Sequence, residues 1–190
     1  MELSRALFLC LIAAVAALRF VELGISKRHQ RQLAARGARK GADPRFRAMV
    51  ALHTCVLCGA AAEVVFLKRP LIPVLATVMG GLFLGANALR WWVIHTLGAH
   101  WNVQVMDSAQ LGIVTNGPYR WVRHPNYSAV FVEMLALPLI HTAWITALVG
   151  TLAHAWVLRG RVAAEEKVLL AAPEYRAAMG AKPRFLPFLF

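Results

Sequence analysis

Five apolar runs alternate with polar, mostly basic segments along the chain. Three of them are long enough for an α-helix that crosses about 30 Å of hydrocarbon, namely Leu3–Leu23, Ala48–Phe66 and Leu71–Ile94. Two shorter runs follow, Ser128–Ile140 and Ala143–Leu158, and the short turn between them predicts a tight helical hairpin. The pattern therefore predicts an all-α fold, a polytopic membrane helix bundle of about five transmembrane helices.

Composition and charge agree with a membrane protein that forms one domain over residues 1–190. Hydrophobic residues make up 59% of the chain, whereas soluble domains are about 45–50% apolar. The net charge is +12, but the basic residues lie between apolar runs and not on a soluble fold. We therefore expect membrane lipids, and no nucleic acid, as the partners of this charge.

The basic residues also predict an orientation in the membrane. The segment Ile25–Arg47 carries eight Lys and Arg residues and one acid, Asp43, so the positive-inside rule places it in the cytoplasm. The N-terminus then lies outside and the C-terminus in the cytoplasm. Within this segment, Lys27–Ala38 is compatible with an amphipathic helix on the membrane surface.

Several polar residues fall inside the apolar runs. Arg19 and Glu22 lie three residues apart, so they share a helix face as a snorkelling interfacial pair or as the lining of a substrate cavity. His53 has no neighbours at metal-ligand spacing and is interpreted as a packing residue. Cys55 and Cys58 have no second pair and receive the same interpretation. The sequence predicts no metal site.

The densest polar segment is Gly117–Tyr127. Gly117 and Pro118 predict a turn. Pro125 predicts the first turn of a helix, because proline has no backbone N–H and the N–H groups of a first helical turn have no partner within the helix. An interfacial turn would explain its Arg and Trp residues but not the whole segment. Before it, Trp101–Val105 alternates apolar and polar residues as in a short strand.

The basic C-terminal segment places Arg161 and Glu165 four residues apart, on one helix face. From the sequence alone, a solvated salt bridge is the simplest interpretation. The segment also contains Glu174-Tyr-Arg176 and ends in Arg184-Phe-Leu-Pro187.

These two segments together resemble the isoprenylcysteine carboxyl methyltransferase family, whose wider superfamily includes phospholipid N-methyltransferases. The resemblance rests on Gly-Pro-Tyr-x-x-x-Arg-His-Pro-x-Tyr over residues 117–127 and on the C-terminal motif, and it covers residues 98–190. It implies a membrane enzyme that uses S-adenosylmethionine (SAM), bound by a cytoplasmic loop and a C-terminal helix. Residues 1–97 then supply three spans and the basic loop, and residues 98–190 the catalytic half.

The resemblance also implies roles for individual residues. Arg161 would hold the acceptor and orient it for catalysis. The residues that would contact SAM are Gln104, Leu111, Gly112, Ile113, Val114, Tyr119, His124, Pro125, Asn126, Tyr127 and Glu165. The first loop and Trp101–Gln104 resemble a bacterial subgroup that methylates lipophilic products such as alkylpyrones, which implies a bacterial inner-membrane protein.

Three functions follow as hypotheses. The first is methyl transfer to a carboxylate or acidic enol oxygen of a lipophilic, isoprenoid or alkyl acceptor. The second is phospholipid or amine N-methylation, which shares the cofactor motifs but does not require Arg161. The third is a non-catalytic, lipid-binding membrane bundle, which predicts no affinity for SAM.

Overall fold

A computed structural model describes residues 2–108 and 111–185 of the chain. Over these residues the fold is an all-α membrane bundle with one two-residue strand pair. Its helices are α1 (Glu2–Ala35), α2 (Phe46–Phe66), α3 (Pro73–Leu97), α4 (Pro125–Leu139), α5 (Trp144–Leu169) and α6 (Pro173–Met179).

Three helices are long and apolar enough to cross a membrane, with α3 counted through the short 3₁₀ turn that ends at His100. Their outer surfaces and that of α5 expose large apolar side chains such as Leu7, Phe20, Leu84 and Leu152. A soluble bundle would bury such residues, so this surface fits contact with lipid. α4 and α5 form the predicted hairpin, which packs against α3 and α2.

α1 differs from the prediction in its length. It continues without a break to Ala35, and 34 residues at 1.5 Å each reach about 50 Å, well beyond the hydrocarbon core. The predicted surface helix over Lys27–Ala38 is therefore mostly the end of the first span and not a separate element. Its buried Leu33 packs against Ala38 and Met106, so this end contacts the rest of the protein.

A network of four charged side chains lies between α1, α3 and α4. Arg19 Nη1 lies 2.8 Å from Glu22 Oε2, and Arg90 Nη2 lies 2.6 Å from the same oxygen. Arg19 Nη2 also lies 3.0 Å from Glu133 Oε2. Glu22 is only 4% exposed, so the pair does not snorkel to an interface. Two cations and two anions in contact compensate one another inside the bundle.

A carboxylate of α2 caps the start of α5. Glu63 accepts hydrogen bonds from the backbone N–H groups of Ile145 and Thr146, at 3.1 and 2.8 Å. Helix N-termini carry N–H groups without helical partners, and an anion there is favourable. Arg69 Nη2 lies 2.8 Å from Glu63 and balances its charge. This contact fixes the start of α5, the helix that carries Arg161 and Glu165.

The segment between α3 and α4 is irregular, as expected, but the predicted strand over Trp101–Val105 is wrong. The strand residues are the next two, Met106–Asp107, which pair antiparallel with Arg39–Lys40. Trp101 is instead almost fully buried, and its carbonyl accepts a hydrogen bond from His29 of α1 at 2.8 Å. Its alternating pattern reflects packing against helices and not a sheet face.

Candidate functional site

A large cleft opens where α2, α3, α4 and α5 meet the irregular segment after α3. It encloses about 1300 Å³ of empty space, including its open mouth. Most of the residues predicted to contact SAM or the acceptor line this cleft, namely Gln104, Gly112, Ile113, Val114, Tyr119, His124, Asn126, Tyr127, Arg161 and Glu165. The structure therefore brings together residues that lie up to 61 positions apart, from Gln104 to Glu165.

Two predicted residues lie outside the cleft lining. Leu111 packs against the cluster of Leu33, Ala38 and Met106. Pro125 is fully buried at the first position of α4. Both residues pack within the segment that borders the cleft, and neither is among the residues that line the cleft itself.

The sequence Gly117–Tyr127 folds as predicted at both ends. Gly117 has φ of +55°, and a Cβ there would lie 2.5 Å from the Thr96 hydroxyl oxygen, so the turn requires glycine. At the other end α4 begins at Pro125, with His124 as the N-cap residue. The turn and the proline together direct His124, Asn126 and Tyr127 into the cleft.

Tyr127 connects α4 to α5. Its hydroxyl donates a hydrogen bond to Glu165 Oε2 at 2.5 Å, and its ring lies 5.4 Å from that of His124 between centroids. Burial is the main reason why the pKa of the neighbouring Tyr175 hydroxyl is raised, so this phenol stays neutral at physiological pH. The carboxylate of Glu165 therefore lies in the cleft among uncharged aromatic side chains.

His124 is held by Glu166, the residue that follows Glu165 on α5. Its Nε2 lies 3.1 Å from Glu166 Oε1, and Arg123 Nη2 and Arg184 Nη2 approach the same carboxylate at 3.2 and 2.8 Å. The hydrogen bond from His124, followed by those from Arg184, lowers the pKa of Glu166 to about 2. Glu166 thus anchors the loop, while Glu165 on the adjacent face lines the cleft.

The C-terminal segment closes over this loop. The backbone N–H groups of Arg123 and His124 donate to the carbonyls of Pro183 and Arg184 at 2.9 and 2.8 Å. Lys182 Nζ donates to the carbonyl of Tyr119 at 2.7 Å. Leu186 and Pro187 of the predicted ending lie outside the described residues.

Arg161 and Glu165 do not form the solvated salt bridge that their spacing suggests, because each contacts a different partner. It is 4% exposed, its Nη1 lies 3.0 Å from Asp43 Oδ2, and its Nη2 donates to the Val103 carbonyl at 2.8 Å. Its Nε has no hydrogen-bond partner among the described residues. The guanidinium is therefore fixed in place with donor capacity left over.

Sequence reasoning missed several residues of the site. Asp43 is the single acid of a basic loop, and nothing in the neighbouring sequence indicates its contact with Arg161. Tyr175 lies in the segment Glu174-Tyr-Arg176, whose sequence does not indicate that this side chain lines the cleft. His53 and His154 also line the cleft, although His53 was interpreted as packing.

Comparison with known sequences identifies similar proteins. The sequence model of the isoprenylcysteine carboxyl methyltransferase (ICMT) family matches residues 78–171. An uncharacterised protein of Bacillus subtilis, YpbQ, is 28% identical over 164 residues, which cover 86% of this chain and 96% of YpbQ. An uncharacterised protein of Haemophilus influenzae is 29% identical over 160 residues, 83% of this chain and 91% of that protein.

Comparison of structures identifies the same fold. The solved structure of the eukaryotic intramembrane Ras methyltransferase ICMT superposes with a TM-score of 0.61 and 24% sequence identity. The match covers 75% of this chain and 53% of the eukaryotic chain, so it spans about half the length of that protein.

Proposed function

Because the chain belongs to the isoprenylcysteine carboxyl methyltransferase family of membrane methyltransferases, we propose that it transfers a methyl group from SAM to an anionic oxygen of a lipophilic acceptor. One observation carries the proposal. α5 presents a carboxylate, Glu165, and a guanidinium, Arg161, one helical turn apart in a single cleft. The first suits a cationic cofactor and the second an anionic acceptor.

The polar and aromatic residues that line the cleft fit SAM. Glu165 can accept hydrogen bonds from hydroxyl or ammonium groups, and buried Gln104 Oε1 and Asn126 Oδ1 have no hydrogen-bond partner among the described residues. Such oxygens normally find a partner, so a polar ligand accounts for them. Tyr119 and Tyr175 add aromatic surface for a purine-like group. When bound, SAM supplies a methyl group carried on a positively charged sulfonium.

Arg161 would hold the acceptor. A carboxylate is ionised at neutral pH, since its pKa is about 4, and so it needs no general base. It needs a cation in a fixed orientation, and Asp43 and the Val103 carbonyl hold the guanidinium in one. An acidic enol would be bound in the same way. Positioning of this kind contributes several kcal/mol to the rate enhancement of a displacement reaction.

The walls of the cleft suit a lipophilic molecule. Beyond Arg161 the cleft is lined by the apolar side chains of Met49, Val130, Val157 and Leu158, which come from three helices of the bundle. These helices expose apolar surface to lipid, so an alkyl or isoprenoid chain can remain in an apolar environment while its head group reaches Arg161. We propose that the cleft mouth faces the cytoplasm, on the side of the basic loop.

Asp43 favours a second candidate, N-methylation of a lipid amine. Its carboxylate beside Arg161 offsets the positive charge of the guanidinium and could attract an ammonium group. The two candidates are distinguished by the acceptor that gains the methyl group, a lipid amine or an anionic oxygen.

Methyl transfer with labelled SAM tests the proposal. Detergent-purified protein is supplied separately with an S-farnesylcysteine derivative, a long-chain fatty acid and phosphatidylethanolamine, and organic-extractable label is measured. We expect label in an acidic acceptor, released as methanol by alkali where the product is an ester. Label confined to the phospholipid amine, or no SAM-dependent label in any acceptor, would contradict the proposal.

A further inference from the structure

Two histidines meet in the cleft, on the side of Arg161 that lies away from Glu165 along α5. His53 of α2 and His154 of α5 have ring centroids 5.6 Å apart and ring planes at 85°. Both rings line the cleft beyond Arg161. Ionisable residues at the depth of the hydrocarbon are costly unless they have a partner or a function.

Within the described ranges 2–108 and 111–185, the imidazole of His154 lacks the hydrogen-bond partner that burial normally requires. The residue is 2% exposed, and neither ring nitrogen has a hydrogen-bond partner among the described residues. His53 is half satisfied, because its Nδ1 lies 2.8 Å from the Met49 carbonyl. A carbonyl only accepts hydrogen bonds, so Nδ1 carries the hydrogen and Nε2 of the neutral ring is left as an acceptor.

Packing and metal binding do not account for this pair. The His154 ring lies against an aromatic ring, with the Phe131 ring centroid 6.2 Å away, which satisfies neither ring nitrogen. Over the described residues, no group of three His, Cys, Asp or Glu side chains could hold a metal ion. The two rings therefore offer one N–H donor and two acceptor nitrogens to the cleft, if both are neutral.

The position of His154 relative to Arg161 sets the geometry of a ligand. The two residues lie seven positions apart on α5, so both face the cleft, about two turns or roughly 10 Å apart along the axis. Arg161 is proposed to hold the reacting oxygen. A group that contacts His154 lies deeper, among the side chains proposed to surround the lipophilic part of the acceptor.

We propose that His154, together with His53, forms a second polar subsite that binds an uncharged hydroxyl, carbonyl or amide group of the acceptor. This group lies about two helical turns from the methylated atom. The inference rests on the proposed function, and it narrows the acceptor class. A lipid with a polar group within its chain or ring system satisfies the imidazoles, whereas a plain fatty acid leaves them unpaired.

Two matched probe lipids test the subsite. Octadecanoic acid and 10-hydroxyoctadecanoic acid differ by one mid-chain hydroxyl at about the required distance from the carboxylate. Their affinities for the full-length protein in detergent are measured by calorimetry in the presence of SAM. We expect the hydroxylated probe to bind about tenfold more tightly, as one hydrogen bond to an otherwise unpaired buried group would produce.

Substitutions of His154 test whether this residue causes the preference for the hydroxylated probe. His154→Phe should reduce this preference to less than about twofold, and His154→Leu provides the same test if the larger ring impairs folding. His95→Phe alters an exposed histidine of α3 that does not line the cleft, so it should leave the preference intact.

Three results would overturn the subsite: equal affinity of the two probes for the unmodified protein, a preserved preference in both His154 variants, or no binding of either probe. SAM titration of the same samples separates this failure from failure of the proposed function. Saturable SAM binding with no probe preference removes the subsite alone, whereas absence of SAM binding removes the function as well.

Discussion

Replacement of Arg161 by lysine separates acceptor binding from cofactor binding. The guanidinium is buried and contacts Asp43 and Val103, and its Nε has no hydrogen-bond partner in the described part of the chain. Lysine retains the charge but presents its donors from one nitrogen, so it cannot reproduce contacts in three directions. Loss of one charge-assisted hydrogen bond to the acceptor costs about 1.5–3 kcal/mol, which corresponds to a roughly 10- to 150-fold lower kcat/KM.

The assay is methyl transfer from labelled SAM into an extractable product, with SAM titration of the same samples. We expect Arg161→Lys to bind SAM almost normally while kcat/KM falls by the stated factor. Arg159→Lys is the matched control, because Arg159 is exposed on the same helix and does not line the cleft. It should retain full activity.

Removal of the charge altogether needs a second change. Arg161→Ala alone leaves the buried Asp43 without a cation, which destabilises the protein independently of catalysis. The double variant Arg161→Ala with Asp43→Asn avoids this and should have lower activity than Arg161→Lys. Normal methylation by the double variant would refute our assignment of the acceptor site. Loss of SAM binding in Arg161→Lys would instead place Arg161 in the cofactor site.

Two further predictions concern pH and topology. The pKa of Glu166 is lowered from 4.5 to about 2, so its contribution to stability is complete above pH 4.5 and is lost as pH falls toward 2. Thermal unfolding of the detergent-solubilised protein across this range should show a decline that is smaller in Glu166→Gln, and equal slopes would contradict the assignment. Separately, Lys40→Cys and Ala178→Cys in a cysteine-free background should react with an impermeant maleimide only after membrane disruption. Labelling of either position from outside intact cells would reverse the predicted orientation.

The local features of this chain could be predicted because they depend on residue types at short range. The length of the apolar runs predicted the first three helices, Pro125 predicted the start of α4, and the turn after Ile140 predicted the hairpin. The shared face of Arg161 and Glu165 followed from their spacing. These predictions rest on helix geometry and on proline and glycine conformations, which distant contacts rarely override.

The remaining features depend on contacts between distant segments. The Asp43–Arg161 pair joins residues 118 positions apart, and no periodicity signals it. The adjacent Glu165 and Glu166 point to different partners, Tyr127 and His124, which only the packing of α4 on α5 decides. The alternation over Trp101–Val105 suggested a strand because burial between helices and burial on a sheet can produce the same local pattern.

Calorimetric titration of the purified protein with SAM tests the central claim most directly. We predict saturable binding to the unmodified protein. Glu165→Gln should weaken it by about tenfold or more, because the variant keeps the shape of the side chain but loses a charge-assisted hydrogen bond. No saturable binding to the unmodified protein, or equal affinity in Glu165→Gln, would contradict the assignment of this cleft as a SAM site.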